Sequence, residues 1–319
     1  MTGLAMLPRA VDVSGYRLGA PQRAGALTVV PVFGPAYPGI VPPRSGLKLG
    51  RVVTYGQVEI VNPATSGVAI VPLHVGYIQD AAQNHALCRS AFIAAGQTLR
   101  FDDACCVQES QGGYLAGRDD QWFFVLPVEL RAAALRARTR AQYSKLWGDI
   151  AAFNRRYGLP ARGHLEQVLT RQRAGLTQYQ SRLERLPGQL GALFFVGGSL
   201  AGVEIAPDPA YFADVWTALV CFAYGPAAWF SPEPAGDEAA PLRATSVDGL
   251  RAELAEHRRG VADEVRGWLA GAAWAPGEAV EEERYLGLRL STVDSGSVAG
   301  QYVTDGDRLV YASLFAAAA

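Results

Sequence analysis

The feature that most constrains this chain is a change of hydrophobic period near residue 130. Before that point apolar residues come in short runs or at period two, the spacing of a strand with one or both faces covered. Leu27–Phe33 (LTVVPVF), the alternating 52–60, the nearly all-apolar 68–75, and 88–94, 98–101 and 122–130 are each predicted as strands. Turn signals at Asn62-Pro63, Gly96 and Gly112-Gly113 separate them, which predicts an antiparallel β layer. The Pro- and Gly-rich segment 34–46 (GPAYPGIVPPRSG) is expected to be a loop, and the first 25 residues a surface arm.

After residue 130 the period becomes helical. Tyr143, Trp147, Ile150, Asn154 and Tyr157 share one face of a predicted helix, which Gly158 and Pro160 close. A second helix is predicted over 165–186, ended by Pro187, so the two should pack as a helical hairpin. GALFFVGGSLAGVEI (191–205) is predicted as a β-hairpin around Gly197-Gly198. Asp208-Pro209 supplies an N-cap and a first-turn proline for a helix bearing Phe212, Val215, Trp216 and Leu219. Residues 231–246 are polar and Pro-rich, an exposed loop. Ser246 then caps a helix expected to turn Leu250, Leu254, Val261 and Val265 inward. Residues 285–293 and a strand pair around Asp305-Gly306 close the chain. The fold class is α+β: a β-rich N-terminal half (1–130), a helical hairpin, then β-hairpins with two further helices (131–319), together expected to form one compact unit.

Charge narrows the function classes. The formal net charge is only -1, but residues 129–187 carry 12 basic and 4 acidic side chains, and 188–319 carry 8 and 18. Either the basic stretch binds an anion or the two regions neutralise each other; the scatter of the arginines over helical surfaces favours neutralisation. Arg131, Arg136, Arg138, Arg140, Arg155 and Arg156 could touch phosphates, but without interleaved aromatics nucleic acid is not expected as a partner. No run approaches the ~20 apolar residues of a membrane span. The N-terminal residues do not have the basic-then-apolar order of a signal peptide. Cys88, Cys105, Cys106 and Cys221 form no CxxC, the usage of a reducing, cytoplasmic compartment. Enrichment in Ala, Gly and Arg suggests a high-GC bacterial genome.

Three blocks together carry a family resemblance: AAQNHALCRSAFIAAGQTLRF (81–101) followed by Cys106-Val107, LPGQLGALFFVGGSLAGVEIAPDPAYFADVWTALVCFAY (186–224), and GSVAGQYVTDGDRLVYASLF (296–315). In their order and spacing they resemble the bacterial ARG-and-rhodanese-phosphatase-superfamily-associated protein (ARPP) domain family. The resemblance implies an association with ADP-ribosylglycohydrolases and rhodanese- or phosphatase-like proteins, hence with ADP-ribose or phosphate metabolism, and no particular reaction. The chain departs from the family pattern at polar positions. His85 stands where a basic residue follows Gln83-Asn84, Gln108 follows Cys106-Val107 with Glu109 one place later, and only Gly113-Tyr114 occupies the place of a Gly-Arg-Trp.

The candidate ligand-binding residues are therefore Gln83, Asn84, His85 and Glu109. Amide side chains suit the edge of a base or ribose, and a neighbouring histidine can move a proton. The same triplet can equally satisfy backbone groups at a turn. Cys105-Cys106 is flanked by Asp102 and Asp103, whose charge disfavours a thiolate, so buried structural cysteines are expected. The four histidines are far apart, and nothing points to a metal or a cofactor. No phosphate loop or GxSxG nucleophile is present. The leading expectation is a non-catalytic binding or adaptor protein holding a small anionic ligand or a protein partner between its halves. The alternatives are a hydrolase or transferase working through His85 and Glu109 on ADP-ribose-like or phosphorylated molecules, and a structural component of an assembly presenting Trp147, Tyr157, Trp216, Tyr224 and Trp229.

Overall fold

Leu27–Phe33 is apolar at nearly every position because both of its faces are covered. Leu27 and Val29 point into the largest hydrophobic cluster and Val30 and Val32 into a second one on the opposite face. In the computed structural model, which describes residues 7–8, 11–78, 84–109, 122–232, 242–272, 274–275 and 277–317, this strand lies near one end of a nine-stranded antiparallel sheet. Gly191–Val196 pairs along one edge of it, followed in order by Ser199–Ile205, Arg308–Ala316, Val298–Asp305, Leu288–Asp294 and Ala279–Tyr285. The other edge is met by two short strands, Arg17–Leu18 and Gln22–Ala24. The break between them falls opposite Pro31, which has no N–H to offer a ladder. The N-terminal arm is thus partly strand.

The N-terminal half is β-rich as expected, but beyond Phe33 its described strands form three small sheets. Residues 52–60 are not one strand: Lys48–Thr54 and Gln57–Val61 form a hairpin, turned at Gly56 with φ 77°. The run 68–75 is broken at Pro72 into Val68–Ile70 and Val75–Ile78, and His74 takes a positive φ of 62° in the break. The loop 34–46 contains a two-residue strand, Ile40–Val41, and a short helix, Pro43–Gly46. The strand expected over 122–130 ends at Val125, because Pro127 caps the helix Val128–Arg136 instead.

Trp147–Arg156 is helical, with Ile150 and Phe153 buried and Gly158 at φ 68° just beyond it. The second helix of the expected hairpin is instead three short segments, Glu166–Arg171, Arg173–Leu176 and Gln178–Arg182. The breaks fall at Gln172 and Thr177, and Gly175 lies within the middle segment, where a side chain would meet the Trp229 ring at 2.6 Å. Glycine there admits the indole. Asp208 caps Pro209–Thr217 as expected, accepting from the amides of Ala210 and Tyr211, and the chain continues through a π-helical turn, Ala218–Ala223. Ser246 caps Val247–Gly271 by accepting from Gly249 N–H. Of the stripe expected inward on that helix only Val265 is buried, and Leu250 is 38% exposed. The helix docks by its C-terminal third, through Val265, Trp268 and Leu269.

The largest hydrophobic cluster draws on both halves, from Ile40, Ile70 and Phe92 to Phe212, Val310 and Phe315. The charge asymmetry is resolved within the C-terminal half. Arg136 pairs with Asp294 at 2.9 Å, Arg138 with Glu282 at 2.6 Å, and Arg131 with Glu204 at 2.5 Å, each joining the basic stretch to the acidic one. Among the described residues no helix is long and apolar enough to cross a membrane.

Candidate functional site

Gln83 lies outside the described residues. Asn84 and His85 lead into the short strand His85–Ala86, where His85 stands opposite Tyr77 on one side and Cys106 on the other. Both are buried. His85 Nε2 accepts the Gly56 N–H at 3.0 Å, which fixes the ring as the tautomer protonated on Nδ1 and holds the hairpin turn. Asn84 accepts from Val107 N–H at 3.0 Å through its carbonyl, and its own N–H donates to Gln108 Oε1 at 3.3 Å. Glu109 is turned elsewhere: its Oε2 accepts the Gly163 N–H at 2.6 Å while its own N–H donates to the Gly163 carbonyl. The fold therefore joins Asn84 to Gln108, and it commits His85 and Glu109 to two different turns. Among the described residues no group of three or more metal-ligating side chains assembles.

The polar centre that sequence reasoning missed is Arg131. Placed among surface arginines by its sequence neighbours, it is instead fully buried. Its Nε donates to His74 Nδ1 at 3.2 Å, Nη1 to Glu204 Oε1 at 2.5 Å and to Tyr224 OH at 3.3 Å, and Nη2 to Ser313 Oγ. Tyr224 OH in turn donates to Glu204 Oε1 at 2.7 Å, and the guanidinium stacks 4.5 Å over the Phe315 ring. Desolvation and then the Arg131 charge hold His74 well below the ordinary imidazole value, so the ring is neutral and accepts through Nδ1. Burial pushes the Tyr211 and Tyr224 phenols well above their usual value and Tyr311 up to about 12. The adjoining cavity, walled by Leu73, Tyr211 and Tyr311, measures about 20 Å³. That is room for about one water and no ligand. The cluster ties helix Val128–Arg136 to the large sheet.

Space for a ligand lies between the halves, in a cleft of about 290 Å³. Pro43, Arg44, Leu47, Tyr77 and Phe123 line it from the N-terminal half, and Arg173, Thr177, Gln180, Asp214, Thr217 and Phe222 from the C-terminal half. The lining thus includes one acidic residue, Asp214, and two arginines, Arg44 and Arg173. Asp214 Oδ2 is already engaged by the N–H groups of Arg44 and Ser45 and by Ser45 Oγ, at 2.9 to 3.1 Å, as the cap of helix Pro43–Gly46. Its hydrogen-bonding capacity is thus largely used on that helix, and Tyr77 and Phe123 supply an aromatic wall to the cleft. A second cavity of about 250 Å³, between Gly25, Tyr179, Arg182 and Trp229, has one guanidinium.

Residues 15–315 match the family model of the ARG and Rhodanese-Phosphatase-superfamily-associated Protein domain, ARPP-1. The chain belongs to this family. No curated protein and no solved structure matches it significantly. The matched span contains nearly the whole ARPP-1 chain, and with it both the Arg131 cluster and the cleft. Two sequence signals mark the Arg131 cluster: an arginine three residues into a helix preceded by proline, and Glu204 as the one charged residue of its strand.

Proposed function

We propose that this ARPP-1 chain is a non-catalytic binding protein whose inter-half cleft takes a small phosphorylated ligand. The observation that carries the reading is that Arg44 from one half and Arg173 from the other both line the cleft, while its one carboxylate, Asp214, is held by the Arg44 and Ser45 N–H groups. Guanidinium groups suit phosphate oxygens because their planar donors match them two at a time. Tyr77 and Phe123 offer an apolar wall to a sugar or base, while Thr177 and Gln180 add polar partners. The volume is at the lower end for small-molecule sites, which suits one phosphorylated sugar or nucleoside. The family's association with ADP-ribosylglycohydrolases makes ADP-ribose, of which the cleft would enclose one half, the first molecule to test, and the four unbridged cysteines fit a cytoplasmic setting.

A hydrolase or transferase working through His85 and Glu109 has less behind it, since both side chains already hold backbone N–H groups. An assembly component has one observation in favour, the adjacent half-exposed Trp229 and Phe230, but Tyr157, Trp216 and Tyr224 are core residues. A thermal-shift panel of ADP-ribose, AMP, ribose 5-phosphate and inorganic phosphate distinguishes the readings. A ligand at about 100 times its dissociation constant adds roughly 2.7 kcal/mol of stability. A shift that persists without turnover, and that Arg44→Ala with Arg173→Ala removes, is the expected result. Turnover lost on His85→Ala would replace this reading with the enzymatic one.

A further inference from the structure

The short helical segments Arg173–Leu176 and Gln178–Arg182 wall two cavities. Arg173, Thr177 and Gln180 line the inter-half cleft, Gly175, Gln178 and Arg182 line the cavity of about 250 Å³, and no residue lines both. Each set recurs at spacings of three and four, so one stretch of chain serves both. The second cavity stays open because its other walls are small. Gly175 leaves room for the Trp229 ring, and Ala24, Gly25 and Ala26 enter from the turn between Gln22–Ala24 and Leu27–Phe33, where Gly25 takes a φ of 58°. Its polar groups are unused. Trp229 is 44% exposed, and among the described residues its indole N–H, the Gln178 side-chain amide and the Arg182 guanidinium have no partner. The Gly25 and Ala26 N–H groups, which the two-residue turn leaves out of the strand ladder, have none there either, although Ala26 is buried. A buried N–H without an acceptor is an unfavourable state that an incoming oxygen relieves. The lining holds one cation and no carboxylate.

We propose that this cavity is a second ligand site, separate from the cleft, and that it takes a small aromatic monocarboxylate. The carboxylate pairs with the Arg182 guanidinium, whose parallel N–H donors match its two oxygens. The turn N–H groups and the Gln178 amide are further donors for those oxygens. Charge selects the class: a lining with a single guanidinium and no acidic residue matches one negative charge, the charge of a carboxylate and not of a doubly ionised phosphate. The ring of the ligand lies against the exposed face of the Trp229 indole, since aromatic rings favour offset stacking or edge contact over water. The small residues opposite leave a volume that suits a single ring with a short acidic arm.

The test is a titration of phenylacetate into the full chain, followed by calorimetry and by saturation-transfer NMR of the ligand. Saturable binding is expected, and phenylacetamide, the same ring without the charge, should bind at least about tenfold more weakly, the effect of losing a charge-assisted bidentate pair. Arg182→Gln should weaken phenylacetate by a similar factor and leave phenylacetamide unchanged, while Trp229→Leu should weaken both. Both side chains are exposed, and circular dichroism checks that each variant keeps the fold. The Arg44→Gln, Arg173→Gln variant should bind phenylacetate as the parent does, so the outcome is independent of whether the cleft takes a phosphorylated ligand. No saturable binding up to about ten millimolar, equal affinity for the acid and the amide, inorganic phosphate binding as tightly as phenylacetate, or binding that is lost with the cleft arginines and kept in Arg182→Gln would each overturn the assignment.

Discussion

Replacing Arg131 by methionine removes the one cation from the buried cluster while keeping most of the volume of its stem. The Glu204 carboxylate is left buried, with the Tyr224 hydroxyl as its remaining partner there, and Ser313 and His74 each lose a donor. Breaking a buried pair by removing one member costs about 3–5 kcal/mol, because the uncompensated charge stays behind. With an unfolding entropy of about 2.1 cal/mol/K per residue over 319 residues, a loss near 4 kcal/mol lowers Tm by roughly 6 °C. The double variant Arg131→Met with Glu204→Gln removes both charges and should cost at least ~1.5 kcal/mol less than the sum of the single changes, since contacting residues couple. Urea unfolding at pH 7 measures all three. An Arg131→Met protein within about 1 kcal/mol of the parent, or strict additivity in the double variant, would refute the view that the cluster is one paired unit.

Two further outcomes follow from the same region. His74 is held neutral, so its folded-state pKa lies below the unfolded value near 6.5; stability is fully present above that value and falls as pH drops through it, by up to ~1.4 kcal/mol per unit. Urea midpoints between pH 5 and 7.5 should show this slope, and His74→Asn should flatten it. Gly202 faces the Tyr224 hydroxyl so closely that a Cβ would lie 1.9 Å from it, so Gly202→Ala should cost about 1–3 kcal/mol by displacing Tyr224 from Glu204, read as a lowered urea midpoint.

Local signals explain which parts of the fold were legible. Leu27–Phe33, the hairpin at Gly197-Gly198 and the caps at Asp208 and Ser246 are written in a few adjacent residues, and the structure has each of them. Continuity was harder to read. The alternation of 52–60 runs through Gly56, whose positive φ makes a turn without interrupting the pattern, and the apolar stripe of 165–186 continues across breaks at Gln172 and Thr177. The stripe on Val247–Gly271 was overread because periodicity marks a face without saying that another element covers it. The site was less legible still. The cleft takes its lining from residues as far apart as Arg44 and Phe222. No spacing rule on a single chain announces such a lining. The family resemblance, by contrast, rested on three ordered blocks, and the match over 15–315 bears it out.

The most direct test of the account is a calorimetric titration of ADP-ribose and ribose 5-phosphate into the parent protein and into the Arg44→Gln, Arg173→Gln variant at two salt concentrations. The cleft predicts saturable binding to the parent, weakened by added salt and lost in a variant that keeps the parent's urea midpoint. Binding that survives both substitutions, or no heat from either ligand at millimolar concentration, would contradict it.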